Sequence, residues 1–153
     1  MAHPQPPDAR AFYQIVWEIV RQVPRGRVTT FGQIASMIPA PQGVEPADYE
    51  RLGPRWVGDA MNAVSRVDEP TVPWHRVING KGTISLPPES ISAAQQRARL
   101  REEGMLDARE KVDFSQFAWD GPDADWLAAR SLRAPRSLKP TPPDDPPGQL
   151  RLF

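Results

Sequence analysis

Apolar positions recur at helical spacing from the start of the chain. In DARAFYQIVWEIVRQV, residues Phe12, Ile15, Val16, Ile19, Val20 and Val23 share one side of a 3.6-residue repeat, and Asp8 stands where a cap is needed. The pattern predicts an amphipathic helix stopped by Pro24 and Gly26. In RVTTFGQIASMI, Thr30 followed by Gln33 has the spacing of a capping box, so a second, shorter helix is expected from Phe31 to just before Pro39. A turn-rich loop, PAPQGVEPADYERLG, then leads to Pro54 as a first helical residue. A third helix follows, with Arg55 in its first turn and Val57, Ala60, Met61 and Val64 on one face.

Beyond it, NGKG predicts a turn between short extended pieces, and Ser90 caps a helix over ISAAQQRARLREE that ends at Gly104. VDFSQFAWDG reads as an apolar segment packing back on the domain. Proline is the outlier of composition: of 19 in the chain, six fall between Pro135 and Pro147, where neither a helix nor an inner strand can form. The expected organisation is a flexible stretch over residues 1–7, a folded domain over 8–128, a proline-rich linker over 129–148 and a terminal peptide over 149–153.

At 153 residues the chain suits one domain with a real core. Charge is balanced at 19 basic and 19 acidic residues, so a nucleic-acid surface has to be a local patch. There is no cysteine, which removes thiolate nucleophiles, disulfides and cysteine-held metals together. Only two histidines are present, His3 and His75, and they make no metal cluster; no metal and no cofactor is expected. No signal-peptide core and no apolar run of about 18 residues occurs, so the expectation is a cytoplasmic protein with no membrane contact; a monomer is expected as well.

Two helices in succession, the second carrying an arginine and the small residues VGDA, suggest a helix-turn-helix in which the second helix enters a DNA groove. Singly, His75, Trp74 and Glu103 are ordinary residues of a globular domain. In order, VPRGRVTTFGQIA, RWVGDAM, VPWHRVI and the helix ending LREEG resemble the DNA-binding domain of the O6-alkylguanine-DNA alkyltransferases across residues 10–106. Those enzymes have a cysteine where Trp74 stands, and its thiol takes the alkyl group from the damaged base. The chain therefore looks like the alkyltransferase-like proteins, which carry tryptophan there, bind O6-alkylguanine in DNA without repairing it and recruit nucleotide excision repair.

The resemblance implies a mainly α, winged helix-turn-helix-like domain with a short β-hairpin wing, followed by a disordered proline-rich tail. It implies that Arg55 enters the duplex and fills the space of an extruded guanine, where a planar guanidinium can stack and bond to the orphaned cytosine. Thr30 and Phe31 match positions beside the flipped nucleotide's phosphate; the family usually has tyrosine at the latter, and phenylalanine keeps the ring without the hydroxyl. Gly58 and Met61 join this DNA-binding set. Trp74, Val72, Pro73 and Ile78 are expected to line or support the base pocket, and His75, Arg76 and Glu103 to form the hydrogen-bond network behind it. Two departures accompany the match: the segment from Arg55 to Trp74 is about two residues longer than in typical enzymes, and Val64 replaces a common asparagine.

The expected partners are alkylated double-stranded DNA and bacterial nucleotide excision repair proteins, including a UvrA-type damage sensor. Residues 149–153, QLRLF, resemble the pentapeptide by which bacterial proteins bind the replication sliding clamp, with Gln149 in one pocket and Leu152 and Phe153 in an apolar one, and Leu150 belongs to the same clamp-binding set. A proline-rich tether of roughly 3 Å per residue would hold it away from the domain. Two other functions fit the same residues: a base-modifying hydrolase or glycosylase using His75 and Glu103 as an acid–base pair, and a protein–protein adaptor of DNA repair.

Overall fold

The computed structural model describes residues 4–139; the peptide at 149–153 and residues 140–148 of the proline-rich linker lie outside them. Helix α1 (Ala9–Val20) starts where Asp8 accepts the Ala11 N–H at 3.1 Å, and it buries Phe12, Val16, Ile19 and Val20. It ends at Val20, before Pro24 and Gly26 are reached, because Arg21 to Val23 close the last turn with bonds back to Trp17, Ile19 and Val20. Helix α2 (Phe31–Met37) is capped by Thr30, whose hydroxyl accepts the Gln33 N–H at 3.0 Å. The capping box is only half formed. The Gln33 side chain instead accepts from the Thr29 hydroxyl at 2.6 Å and donates to the carbonyls of Trp119 and Arg136 at 2.9 and 3.0 Å.

Helix α3 (Pro46–Asn62) corrects the expected start at Pro54. Pro46 takes the first-turn position, where a missing N–H costs nothing, and Pro54 is carried inside the helix. What holds the extra turns is burial: Tyr49, Leu52 and Gly53 face the core ahead of Trp56, Val57 and Ala60. Phe12, Tyr49 and Trp56 meet as an aromatic triad with centroids 5.8–6.4 Å apart, two of the pairs edge to face. Gly53 lets α2 and α3 touch, since a Cβ there would stand 3.1 Å from Ala35 Cβ and from the Tyr49 ring. Arg55 is consequently in the middle of a long helix, not in its first turn.

The strands are two residues long: β1 (Thr29–Thr30) pairs with β2 (Val77–Ile78), Thr29 opposite Val77 and Thr30 opposite Ile78. The pairing is parallel, so the hairpin expected around NGKG does not form. Asn79 closes that turn with its side chain, accepting from the N–H groups of Lys81 and Thr83 at 2.9 and 3.0 Å, and no strand follows before α4. Helix α4 (Ile91–Glu102) has its Ser90 cap at 3.1 Å and stops in a Schellman turn. There the Gly104 N–H bonds to the Arg101 carbonyl and the Met105 N–H to Leu100, with Gly104 at φ +76°.

A main core fills the space between α1, α2 and α3; a smaller one joins Val28, Ile78, Leu100, Met105 and Val112. The apolar segment after Val112 packs back, through the short helix α5 (Phe114–Phe117), a bridge from Val28 to Ala118 and the buried Trp119. Packing reaches beyond residues 8–128 at both ends. Pro4 accepts the Trp56 indole N–H at 2.6 Å, Pro6 is buried, and helix α6 (Ala124–Ala129) is followed by an extended arm. The arm lies on α2: the Arg133 N–H donates to Met37 O at 2.7 Å and the Arg136 N–H to Ser36 Oγ at 3.0 Å.

Gln33 thus joins β1, Trp119 and the arm through one fully buried amide. Gln33→Leu should destabilise the domain by about 1–3 kcal/mol or more, the cost of leaving a buried polar group unpaired. Urea titration of the two proteins measures it.

Candidate nucleic-acid interface

A cavity of about 780 Å³ opens between α2, the C-terminal half of α3, the turn at Trp74 and the first turns of α4. Phe31 walls it at the start of α2, Gly58, Met61 and Asn62 along α3, Trp74 and Val77 at the turn, and Ser92, Gln95 and Gln96 on α4. Val64, Arg66, Glu69 and Ser85 to Pro87 complete the rim.

The turn Trp74–Arg76 is a single 3₁₀ turn. It leaves the indole half-buried in the cavity wall and turns His75 inward. The Arg99 guanidinium lies 5.3 Å from the Trp74 ring centroid and reaches Glu69 at 3.3 Å, a cation–π contact that helps hold the ring. From α4, the buried Gln96 amide donates to the carbonyls of His75 and Val77 at 3.2 and 2.9 Å and pins the turn from behind.

Glu103, at the C-cap of α4, sits under this turn with its side chain 3 % exposed. It accepts from Arg76 Nε at 3.1 Å and Nη2 at 2.9 Å, from the Gly26 N–H at 2.8 Å, and meets His75 Nε2 at 2.6 Å. Burial pushes the Glu103 carboxyl up, but Arg76, the Gly26 N–H and His75 together outweigh it and hold it down at about 2. Burial likewise pushes His75 below the usual imidazole value, and its bond to Glu103 offsets this only in part. The proton in the 2.6 Å contact therefore belongs to His75 Nε2, since Glu103 is ionised. His75 Nδ1 is buried without a partner among the described residues, as a bare acceptor.

Apart from Thr30 and Arg55, the candidate residues of the domain separate into three groups. Phe31, Gly58, Met61 and Trp74 share the cavity. Val72 belongs to the main core and Ile78 to the second; with Pro73 they support the turn and do not line the cavity. His75, Arg76 and Glu103 are joined to one another behind the wall, and none of them reaches the cavity. Thr30 is buried and committed to its cap. Arg55 is exposed and outside the cavity, yet it lies on the face of α3 that carries Gly58 and Asn62, one and two turns away. Gln96 was missed by sequence reasoning; its only signal is a polar residue at helical spacing between Ala93 and Leu100 on a buried face.

The wall offers no thiol and no histidine to activate its serines, and among the described residues no group of three His, Cys, Asp or Glu could hold a metal. Among them, too, no helix is long and apolar enough to cross a membrane. The model of the 6-O-methylguanine DNA methyltransferase DNA-binding domain matches residues 11–105, which contain both the cavity and the Glu103 network. The chain belongs to that family.

Within the family it is similar to a base-flipping protein and to an alkyltransferase-like protein. The DNA base-flipping protein of Escherichia coli K12 is 33 % identical over 110 residues, covering 72 % of this chain and 75 % of that protein. Alkyltransferase-like protein 1 of Schizosaccharomyces pombe is 40 % identical over 94 residues, 61 % of this chain and 76 % of that one. The crystal structure of S. pombe Atl1 with damaged DNA containing O6-carboxymethylguanine superposes with a TM-score of 0.53 at 33 % identity, covering 72 % of this chain and 95 % of that one.

The network makes stability fall with acid in two stages. His75 is favoured neutral, so its contribution is present above the ordinary value of 6.5 and is lost as pH falls below it. The Glu103 contribution is present above 4.5 and is lost as pH falls toward about 2. Thermal melting across pH should show both stages, with Glu103→Gln flattening the lower one. At pH 7, Glu103→Ala should cost about 3 kcal/mol, because the largely buried Arg76 keeps only its bond to the Val23 carbonyl and loses its counter-charge.

Proposed function

We propose that the protein recognises O6-alkylguanine in double-stranded DNA without repairing it, and marks the lesion for nucleotide excision repair. The observation that carries the reading is Trp74: this indole wall of the cavity stands where the related enzymes hold their reactive cysteine, in a chain with no cysteine at all. Alkyl transfer needs a thiolate, and an indole offers only an N–H donor and a π face. A purine rotated out of the helix can stack on that face, and an O6-alkyl group adds about 0.8 kcal/mol for each methylene buried.

In this mechanism the domain enters the minor groove with the exposed face of α3. Arg55 takes the place of the extruded guanine, and Phe31 assists rotation sterically from the start of α2. Discrimination between damaged and normal guanine draws also on the weaker pairing of the lesion, which lowers the cost of extrusion. The relatives support the reading through their names, one a base-flipping protein and one solved with O6-carboxymethylguanine DNA. The acid–base alternative is disfavoured, because His75 and Glu103 are bonded to each other behind the wall. A UvrA-type damage sensor would then read the protein-occupied lesion, and Gln149, Leu150, Leu152 and Phe153 would tether the protein to the sliding clamp.

Fluorescence anisotropy with O6-methylguanine and unmodified duplexes tests this directly. Tighter binding of the lesion is expected. Trp74→Ala should weaken lesion binding by about 1–3 kcal/mol, the worth of one base–aromatic stack, and Arg55→Ala should weaken it at least roughly tenfold. Equal affinity for the two duplexes, or base release, strand cleavage or dealkylation on incubation, would overturn the reading. Deleting residues 149–153 should abolish binding to purified clamp and leave DNA affinity unchanged.

A further inference from the structure

The extended arm after α6 lies outside residues 11–105, the stretch that the family model matches, and nothing in the proposed mechanism uses it. Its backbone is nevertheless fixed. Three hydrogen bonds hold it to α2, from the N–H groups of Arg133 and Arg136 and from the Gln33 amide to the Arg136 carbonyl. What it presents is charge. Of its basic neighbours, Arg130 is paired with Glu18 at 3.4 Å and Lys139 with Asp120 at 3.6 Å. Arg133 and Arg136 are exposed, and neither has a carboxylate at ion-pair distance among the described residues.

The two guanidinium groups sit at a defined place. Together with Gly32, Tyr49, Glu50 and Pro54 they line a second depression, of about 560 Å³, across α2 and α3. On α3, Pro54 stands one turn before Gly58 and two before Met61, both of which line the base-binding cavity, so this depression continues along the same side of that helix. Arg136 packs onto the Gly32 backbone so closely that a Cβ there would collide with its Nη2. Glu50 is the one carboxylate in the lining, against two guanidinium groups, which leaves the depression net positive.

We propose that this arm is a DNA-backbone clamp: Arg133 and Arg136 bind phosphates of the duplex beside the lesion, and so widen the interface beyond the family's domain. The inference rests on the proposed function, since it takes the Arg55 face to be the DNA face. A fixed backbone carrying two guanidinium groups without a carboxylate partner among the described residues loses little order on binding, and each matches a phosphate in charge and in fork geometry. Phosphate binding of this kind carries no sequence or lesion information, so the arm adds affinity and residence on DNA and leaves discrimination to the Trp74 cavity.

The test is a salt titration of binding by fluorescence anisotropy, on O6-methylguanine and unmodified duplexes, with the full chain and with Arg133→Gln/Arg136→Gln. Each phosphate that is no longer neutralised should lower the slope of log K against log salt by about 0.9, so the pair lowers it by up to about 1.8. The preference for the lesion should not change. The docking bonds are made by the backbone and by Gln33, so the melting temperature should hold, and the charge-retaining Arg133→Lys/Arg136→Lys should keep the wild-type slope. An unchanged slope in the glutamine pair, or an equal reduction in the lysine pair, overturns the clamp alone. Wild-type protein that failed to bind either duplex would overturn the proposed function with it.

Discussion

The Glu103 carboxylate ties three distant parts of the chain together: the end of α4, the 3₁₀ turn that carries Trp74, and the loop before β1 at Gly26. A buried carboxylate is costly unless its oxygens are filled, and here a guanidinium, an imidazole N–H and a backbone N–H fill them. The orientation of the turn follows from that demand. His75 and Arg76 must face inward to reach Glu103, so Trp74, one residue earlier on a three-residue turn, is left facing the cavity. The same carboxylate would be poor acid–base machinery, since it is held ionised at about 2 and all its bonding capacity is directed away from the cavity.

The second constraint is the closeness of α2 and α3. Gly53 lets α3 lie against Ala35 of α2, where the Tyr49 hydroxyl donates to the Ala35 carbonyl at 3.0 Å, and the Phe12–Tyr49–Trp56 triad joins α1 to the same stretch of α3. Extending α3 back to Pro46 lengthens that contact, and it also places Arg55 well inside a rigid helix. A side chain offered from mid-helix can be pushed into a duplex with less yielding of its base than one from a frayed first turn. The arm after α6 reinforces the same pair from outside, through Gln33, Ser36 and Met37.

How much of this the sequence showed depended on whether the deciding interaction was local. Asp8, Thr30 and Ser90 cap the helices they were expected to cap, because a cap needs only a residue and the N–H three positions on. The start of α3 was misjudged since Pro46 and Pro54 are equally good first-turn residues; burial of Tyr49 and Leu52 against another helix chose between them. Strands of two residues have no periodicity to read, so the parallel pairing of β1 and β2 was invisible. Val72 and Ile78, expected to line or support the pocket, stand beside the Trp74 turn and point into the two cores. Gln33 and Gln96 hold the arm and the turn through partners far away in sequence, which no local pattern shows. The arm itself was hidden by its prolines, which exclude a helix but not docking as an extended strand of chain.

The central claim is that the cavity behind α3 holds a base removed from the duplex, against an indole that cannot react with it. A crystal structure of the protein with a duplex containing O6-methylguanine measures this most directly. The account predicts the modified base outside the stack with its ring on Trp74, its methyl group intact, and the Arg55 guanidinium in the space it left. A lesion still paired inside the helix, with Trp74 out of contact with DNA, would contradict it.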